Sequence, residues 1–443
     1  MTTKTIKVGY LARVEGEGAL FLKLENGLVT DVKLKIFEPP RFFEAFLRGR
    51  GFEEAPDITA RICGICPVAY QMSAVHAMER AAGVVVDGPL RDLRRLLYCG
   101  EWIESHTLHV FMLHAPDFLG YPSAVAMAKD HPDVVKRGLF LKKMGNAIVS
   151  LLGGREIHPI NVRLGGFYKI PSMDAFRAML PDLEKARAET QVAIESISKF
   201  SFPDFERDYE LVALSHPSEY PMCEGRIISS KGLSVDADQF EDVMEEHHVP
   251  YTNALQATIR GRGAYLCGPL ARFSLNYEHL PSSCQKAAAA AGIAGGTNNP
   301  FKSIIVRAIE ILYAFEEAIR IIQNLTMPKA PFVEVPPRPA VGRAATEAPR
   351  GLLFHRYGID ADGRITEVRI IPPTSQNQLS IEDDLRQAVP PRANATEDEL
   401  RAFCEQTIRN YDPCISCATH FLKIHHVDET STGSRWTDAG VPR

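Results

Sequence analysis

The chain has 443 residues, 45% of them hydrophobic and 24% charged, a globular balance that excludes wholesale disorder. Its 50 lysines and arginines against 55 acids leave a formal charge of −5, unlike a nucleic-acid coat or a basic membrane-surface protein. No run reaches the ~18–20 apolar residues of a bilayer span, and the opening MTTKTIKVGY lacks the apolar core of a secretion signal, so the expectation is a cytoplasmic protein.

In chain order, 5–10, 19–24 and 29–37 carry β-type patterning, with Glu25-Asn26-Gly27 as a turn. From about 57 the pattern becomes helical. Pro67 suits a first helical position and Gly83 a stop, so one helix is expected over 68–82. Further helices are expected over 90–113, 123–152, 173–200 and 301–325. The stretch 201–300 is mixed and punctuated by glycine and proline, and the Pro-rich PKAPFVEVPPRPAVG reads as a surface connector. A hairpin is expected from 351–357 and 365–371 around Asp360-Ala361-Asp362-Gly363, and a last helix over 396–409. The fold class is therefore mainly α with small β elements (α+β). It reads as one unit over 1–420: 1–40 mainly β, 57–330 a mainly helical body, 350–372 a β hairpin.

Nine cysteines, an odd number, make no disulfide framework. Four form CxxC pairs at opposite ends of the chain, Cys63/Cys66 and Cys414/Cys417. Two-residue spacing lets both sulfurs face one point, and N–H groups at a helix start favour thiolate. Cys66 lies just ahead of Pro67. For the second pair, Asp412 is a natural N-cap and Pro413 a first helical residue. Brought together, the loops make a four-sulfur site. From spacing alone, a structural zinc site is an equally open reading.

The residues around the cysteines widen the pattern. RICGICPVAYQMSAVHAMERA (61–81) and DPCISCATH (412–420) resemble the two signature motifs of the nickel–iron hydrogenase large subunit. Arg13-Val14-Glu15-Gly16, Arg41-Phe42-Phe43-Glu44, His114-Ala115-Pro116-Asp117, Glu347-Ala348-Pro349-Arg350-Gly351 and Pro373-Thr374-Ser375 resemble further family segments, in the family's order along the chain. The detailed sequence is most similar to the cytoplasmic, multimeric, NAD(P)-linked group.

That resemblance implies reversible, heterolytic oxidation of H2. Cys63 and Cys414 would be terminal nickel ligands, and Cys66 and Cys417 would bridge nickel to an iron carrying cyanide and carbon monoxide. Glu15 would relay the proton from the Cys414 sulfur. Arg350 would sit over the open metal position, oriented by Asp117 and Asp412. Pro349 would wall the site, and Thr374 would hydrogen-bond a cyanide. Glu44 and His420 would hold a structural magnesium. Tyr70 stands where related subunits often have histidine, and its hydroxyl could replace that residue's bond to a bridging sulfur. His106, His109 and His114 read as packing or solvated-face residues.

The family also implies partners. Cys99, Cys223, Cys267, Cys284 and Cys404 lack iron–sulfur cluster spacing, and neither Gly16-Glu17-Gly18 nor Gly49-Arg50-Gly51 extends into a dinucleotide fingerprint. Electrons would pass to an iron–sulfur small subunit, then to further iron–sulfur subunits and a flavin-containing, NAD(P)-linked diaphorase. Residues 421–443 read as a C-terminal extension removed by a maturation endopeptidase once insertion factors have delivered nickel, which makes the sequence a precursor. The rival readings are a non-catalytic homologue and a zinc-knuckle protein.

Overall fold

The computed structural model describes residues 3–419. Five long helices form the body: Pro67–Ala82, Gly88–Thr107, Pro132–Gly153, Leu180–Ile197 and Ser303–Asn324. The Gly88–Thr107 helix is buried along most of its length between Pro132–Gly153 and Ser303–Asn324. Glycine makes the first of these contacts possible. A Cβ on Gly145 would lie 2.7 Å from the Glu104 nitrogen and the Gly100 carbonyl oxygen, so any side chain would push the helices apart.

Two of the expected helices are broken by proline. Over 123–152 a short Ala124–Met127 turn precedes Pro132–Gly153, and over 173–200 Met173–Arg177 precedes Leu180–Ile197, which carries Pro181 in its first turn. Proline lacks the N–H that would continue a helix through it, so each opens a new one. The helix expected over 90–113 ends as a π-helical turn, Leu108–His114. Pro67–Ala82 matches expectation, with Gly83 left-handed at its end.

The N-terminal strands Thr3–Val8, Gly18–Glu25 and Leu28–Ile36 form an antiparallel sheet, pairing Val8 with Leu20 and Gly18 with Ile36. Gly18–Glu25 alternates buried and half-buried residues, the period-two pattern of a strand packed on one face. A second antiparallel sheet joins Ala340–Ala348, Gly351–Ile359 and Ile365–Ile371. Its first strand corrects the sequence reading: the end of the supposed surface connector pairs in the sheet and packs on the Pro67–Ala82 helix. The mixed 201–300 stretch supplies a four-stranded sheet and a hairpin. Pro373–Ala388 is a helix that the sequence reading left out. No helix among the described residues is long and apolar enough to cross a membrane.

The two ends of the chain meet. The Ile415 N–H donates to the Glu15 carbonyl (3.0 Å), and Glu15 and Cys414 pair as an isolated parallel bridge.

Candidate metal centre

Four sulfurs converge inside this junction. The Sγ atoms of Cys63, Cys66, Cys414 and Cys417 all lie within 4.8 Å of one another. Cys63 and Cys414 are 3.3 Å apart, Cys66 and Cys417 3.5 Å, and Cys414 and Cys417 2.9 Å. Each of the four cysteines is at most 3% exposed, so the sulfurs are shielded from bulk solvent.

Both pairs are held at helix starts, and neither sulfur at the N-cap does the capping. Cys66 is the N-cap of Pro67–Ala82. The N–H groups of Val68 and Ala69 instead donate to the two carboxylate oxygens of Glu101 (2.5 and 3.0 Å), a fully buried residue of the neighbouring helix. Cys414 is the N-cap of Ile415–Ala418, which corrects the expectation that Asp412 would cap and Pro413 begin that helix. Here the Ser416 N–H donates to Glu15 Oε2 (3.0 Å). Both arrangements relieve the N-cap sulfur of satisfying those N–H groups.

Glu15 also touches the cluster. Its Oε2 lies 3.1 Å from Cys414 Sγ, and its Oε1 accepts the Ser416 hydroxyl. Burial, then the Cys63 charge, pushes its pKa up, against the bonds from Ser416 and Cys414. Gly16 is required for this approach. Its φ is +86°, and a Cβ there would stand 2.7 Å from the Ile415 Cβ.

Arg350 is buried beside the sulfurs. Its Nε donates to the Asp412 carbonyl (2.7 Å), its Nη2 pairs with Asp412 Oδ1 (3.1 Å), and its Nη1 has no hydrogen-bond partner among the described residues. Burial works against its charge, but Asp412 and the sulfurs of Cys414, Cys66 and Cys63 outweigh it and raise its pKa well above the usual value. Asp412, at φ +50°, has its own pKa raised by burial against the pull of Arg350 and Arg307. Among the thiols, Cys63 alone is lowered, by hydrogen bonds from Cys414, Cys417 and Cys66. A buried set of four soft sulfur donors beside a fixed cation suits a thiophilic metal pair, and the residues present fit a nickel–iron centre.

Asp117 is elsewhere. It pairs with Arg13 and, through both oxygens, with Arg409 (2.7 and 2.8 Å), and makes no bond to Arg350. The expectation that it orients Arg350 is corrected: the two arginines nearer to it saturate the carboxylate. Pro349 is buried next to Arg350, and its carbonyl accepts from Arg272 (3.1 Å). The Thr374 hydroxyl accepts the Cys414 N–H (2.9 Å), fixing the second loop's backbone. Tyr70 is buried, its pKa raised by burial and then by Cys417 and Cys66. Glu44 is buried and accepts the Ile370 N–H (2.8 Å). His420 and the 421–443 extension lie outside the described residues. His106 pairs with Glu310 (2.9 Å) and His109 bonds the Arg409 carbonyl (2.8 Å); these two and His114 are fully buried. Sequence reasoning missed Glu101 altogether: it shares its helix face with Glu104 and Ser105, so local pattern did not single it out.

Comparison with known proteins bears on the whole chain. The nickel-dependent hydrogenase family matches residues 41–137 and 267–420. The alpha subunit of sulfhydrogenase 1 from Pyrococcus furiosus is 32% identical over 95% of this chain and 98% of its own length. The HoxS beta subunit of the NAD-reducing hydrogenase from Cupriavidus necator is 28% identical over 95% of both chains. Among solved structures, an NAD+-reducing [NiFe]-hydrogenase in its H2-reduced state superposes with a TM-score of 0.86 at 26% identity, covering 94% of this chain and 99% of the other. A nickel–iron–selenium hydrogenase from Desulfovibrio vulgaris Hildenborough shares the fold, with a TM-score of 0.79 at 23% identity over 95% of this chain and 100% of the other.

Proposed function

This chain belongs to the nickel-dependent hydrogenase family as a large subunit, and on that premise we propose that it catalyses the reversible reaction H2 ⇌ 2H+ + 2e−. The observation that carries the proposal is the meeting of four buried sulfurs with a carboxylate seated on one of them. Cys63, Cys66, Cys414 and Cys417 hold the nickel–iron centre. When bound, that centre supplies the redox-active pair on which H2 is split heterolytically, which creates the need for a base.

Glu15 is that base. Its Oε2 receives the proton at the Cys414 sulfur, and burial raises its affinity for it. The Ser416 N–H and hydroxyl hold the carboxylate in place. Arg350, anchored by Asp412, keeps a fixed positive charge beside the sulfurs with Nη1 free to polarise a bound species. Pro349, Thr374 and Tyr70 close the site around these groups. The expected inventory also includes cyanide and carbon monoxide on iron, and a magnesium ion at Glu44 and His420. Electrons leave through an iron–sulfur small subunit toward NAD(P) on a diaphorase, a reading supported by the NAD-reducing relatives. The extension beyond His420 is removed by an endopeptidase during maturation in the cytoplasm.

Elemental analysis of the purified complex, paired with H2/D+ exchange, tests this. About one nickel and one iron per chain with active exchange is the expected result, and Cys417→Ser loses both. One zinc, or no metal and no exchange in the wild type, refutes it.

A further inference from the structure

Across the two loops the sulfurs meet through Cys63–Cys414 (3.3 Å) and Cys66–Cys417 (3.5 Å), and a thiol is a weak donor and a weak acceptor. A stronger contact joins them as well. Arg41 makes it. A single nitrogen of its guanidinium, Nη2, donates to the carbonyl of Ile62, immediately before Cys63 (2.5 Å), and to the carbonyl of Ser416, between Cys414 and Cys417. Its backbone N–H donates to the carbonyl of Thr419 (2.7 Å).

The segment that carries Arg41 is itself anchored. The Asn253 side-chain amide donates to the carbonyls of Phe37 and Glu38 (3.3 and 3.2 Å). Glu38 accepts the Ser416 hydroxyl (3.4 Å) and the Glu17 N–H (3.3 Å), and stands 3.9 Å from Arg41 Nε. The Arg41 side chain is 31% exposed, whereas the sulfurs beneath are buried. It therefore lies at the outer edge of the junction, where it can release without disturbing the helical body.

We propose that Arg41 is a latch: a positioning residue that fastens the two cysteine loops to each other and thereby retains the metals. The latch rests on the metal-centre reading above, since its purpose is to keep that centre closed. Arginine suits the task because its planar, rigid fork directs two donors from one nitrogen, whereas lysine offers a point charge on a looser stem.

The test uses the full chain with its partner subunits, as wild type, Arg41→Ala, Arg41→Lys and Arg94→Ala. The last is a control that breaks the buried Arg94–Glu79 pair (2.8 and 2.6 Å), remote from the loop carbonyls. Two rates are read: nickel loss to excess EDTA, and, in chain expressed without nickel, alkylation of Cys414 and Cys417 by iodoacetamide with peptide mass mapping. Arg41→Ala is expected to speed both by at least about tenfold with circular dichroism unchanged, and Arg41→Lys to fall between it and wild type. Arg94→Ala is expected to lower the thermal midpoint and leave alkylation near wild type. Rates for Arg41→Ala within about twofold of wild type overturn the latch, as does equal acceleration in Arg94→Ala. Should Arg41→Ala fail to fold, Arg41→Lys decides, and wild-type rates there overturn it. A wild type that takes up no nickel sinks the functional reading instead, and the alkylation rates still judge the latch.

Discussion

Cys66 and Cys414 each stand at the N-cap of a helix, and in both places a carboxylate from a distant segment takes the N–H groups that a capping side chain would otherwise satisfy. At the first loop that carboxylate is Glu101, which spends both oxygens on Val68 and Ala69. At the second it is Glu15, which caps with one oxygen and lays the same oxygen against the Cys414 sulfur. Beyond Glu15, the Ser416 hydroxyl also reaches Glu38, whose side chain is 16% exposed. One cap is sealed in the core, and the other is connected to sulfur and to the molecular edge. The same device thus serves structure at one end of the chain and chemistry at the other.

Glutamine separates the two. Glu15→Gln keeps an oxygen for the Ser416 N–H, so the metals stay bound, but an amide cannot carry the proton. H2/D+ exchange is expected to fall by about 10²-fold or more. Exchange within a few-fold of wild type removes Glu15 from the relay and makes the two caps equivalent. Glu101→Gln, by contrast, leaves exchange close to wild type.

Glu101→Ala breaks the other half of the comparison. It strands two buried N–H groups, each at a cost of about 1–3 kcal/mol. The unfolding midpoint is expected to drop clearly by calorimetry, with exchange per bound nickel preserved. A variant with unchanged stability shows that the first helix start does not need its remote cap.

Much of this site was legible because it is written in local spacing. Cysteine pairs, the Pro67 helix start and the acid in Arg13-Val14-Glu15-Gly16 need no tertiary information to be noticed. What was not legible depends on who meets whom. Asp117 sits in a recognisable segment, but the identity of its arginine is decided by the proximity of Arg13 and Arg409. Arg41 and Glu101 are ordinary charged residues until the fold aims them at carbonyls and N–H groups far along the chain. The Pro373–Ala388 helix was hidden by its polarity. Gln376, Asn377, Gln378 and Ser380 are buried there because each bonds the backbone of another segment: Leu352, Cys267, Leu34 and Tyr265. Periodicity detects apolar faces and is blind to a helix that packs through hydrogen bonds.

The smallest expected effect lies one turn beyond Glu101. Burial pushes Glu104 up to about 8, with Lys142 opposing and Glu156 and Cys63 adding to the rise. A carboxyl whose pKa is raised on folding stabilises the protein fully below its unfolded value and loses that contribution as pH climbs through the folded one. Glu104 is therefore expected to lower the wild-type unfolding midpoint as pH climbs from about 4.5 to about 8, and Glu104→Gln to flatten that slope. Exchange activity at fixed metal content should keep its own pH profile in the variant, because the carboxylate seated on the Cys414 sulfur is that of Glu15. If the variant shifts the exchange profile and leaves the midpoint slope intact, proton traffic runs through the Gly88–Thr107 helix that caps the first loop as well, and the division between a structural cap and a chemical one fails.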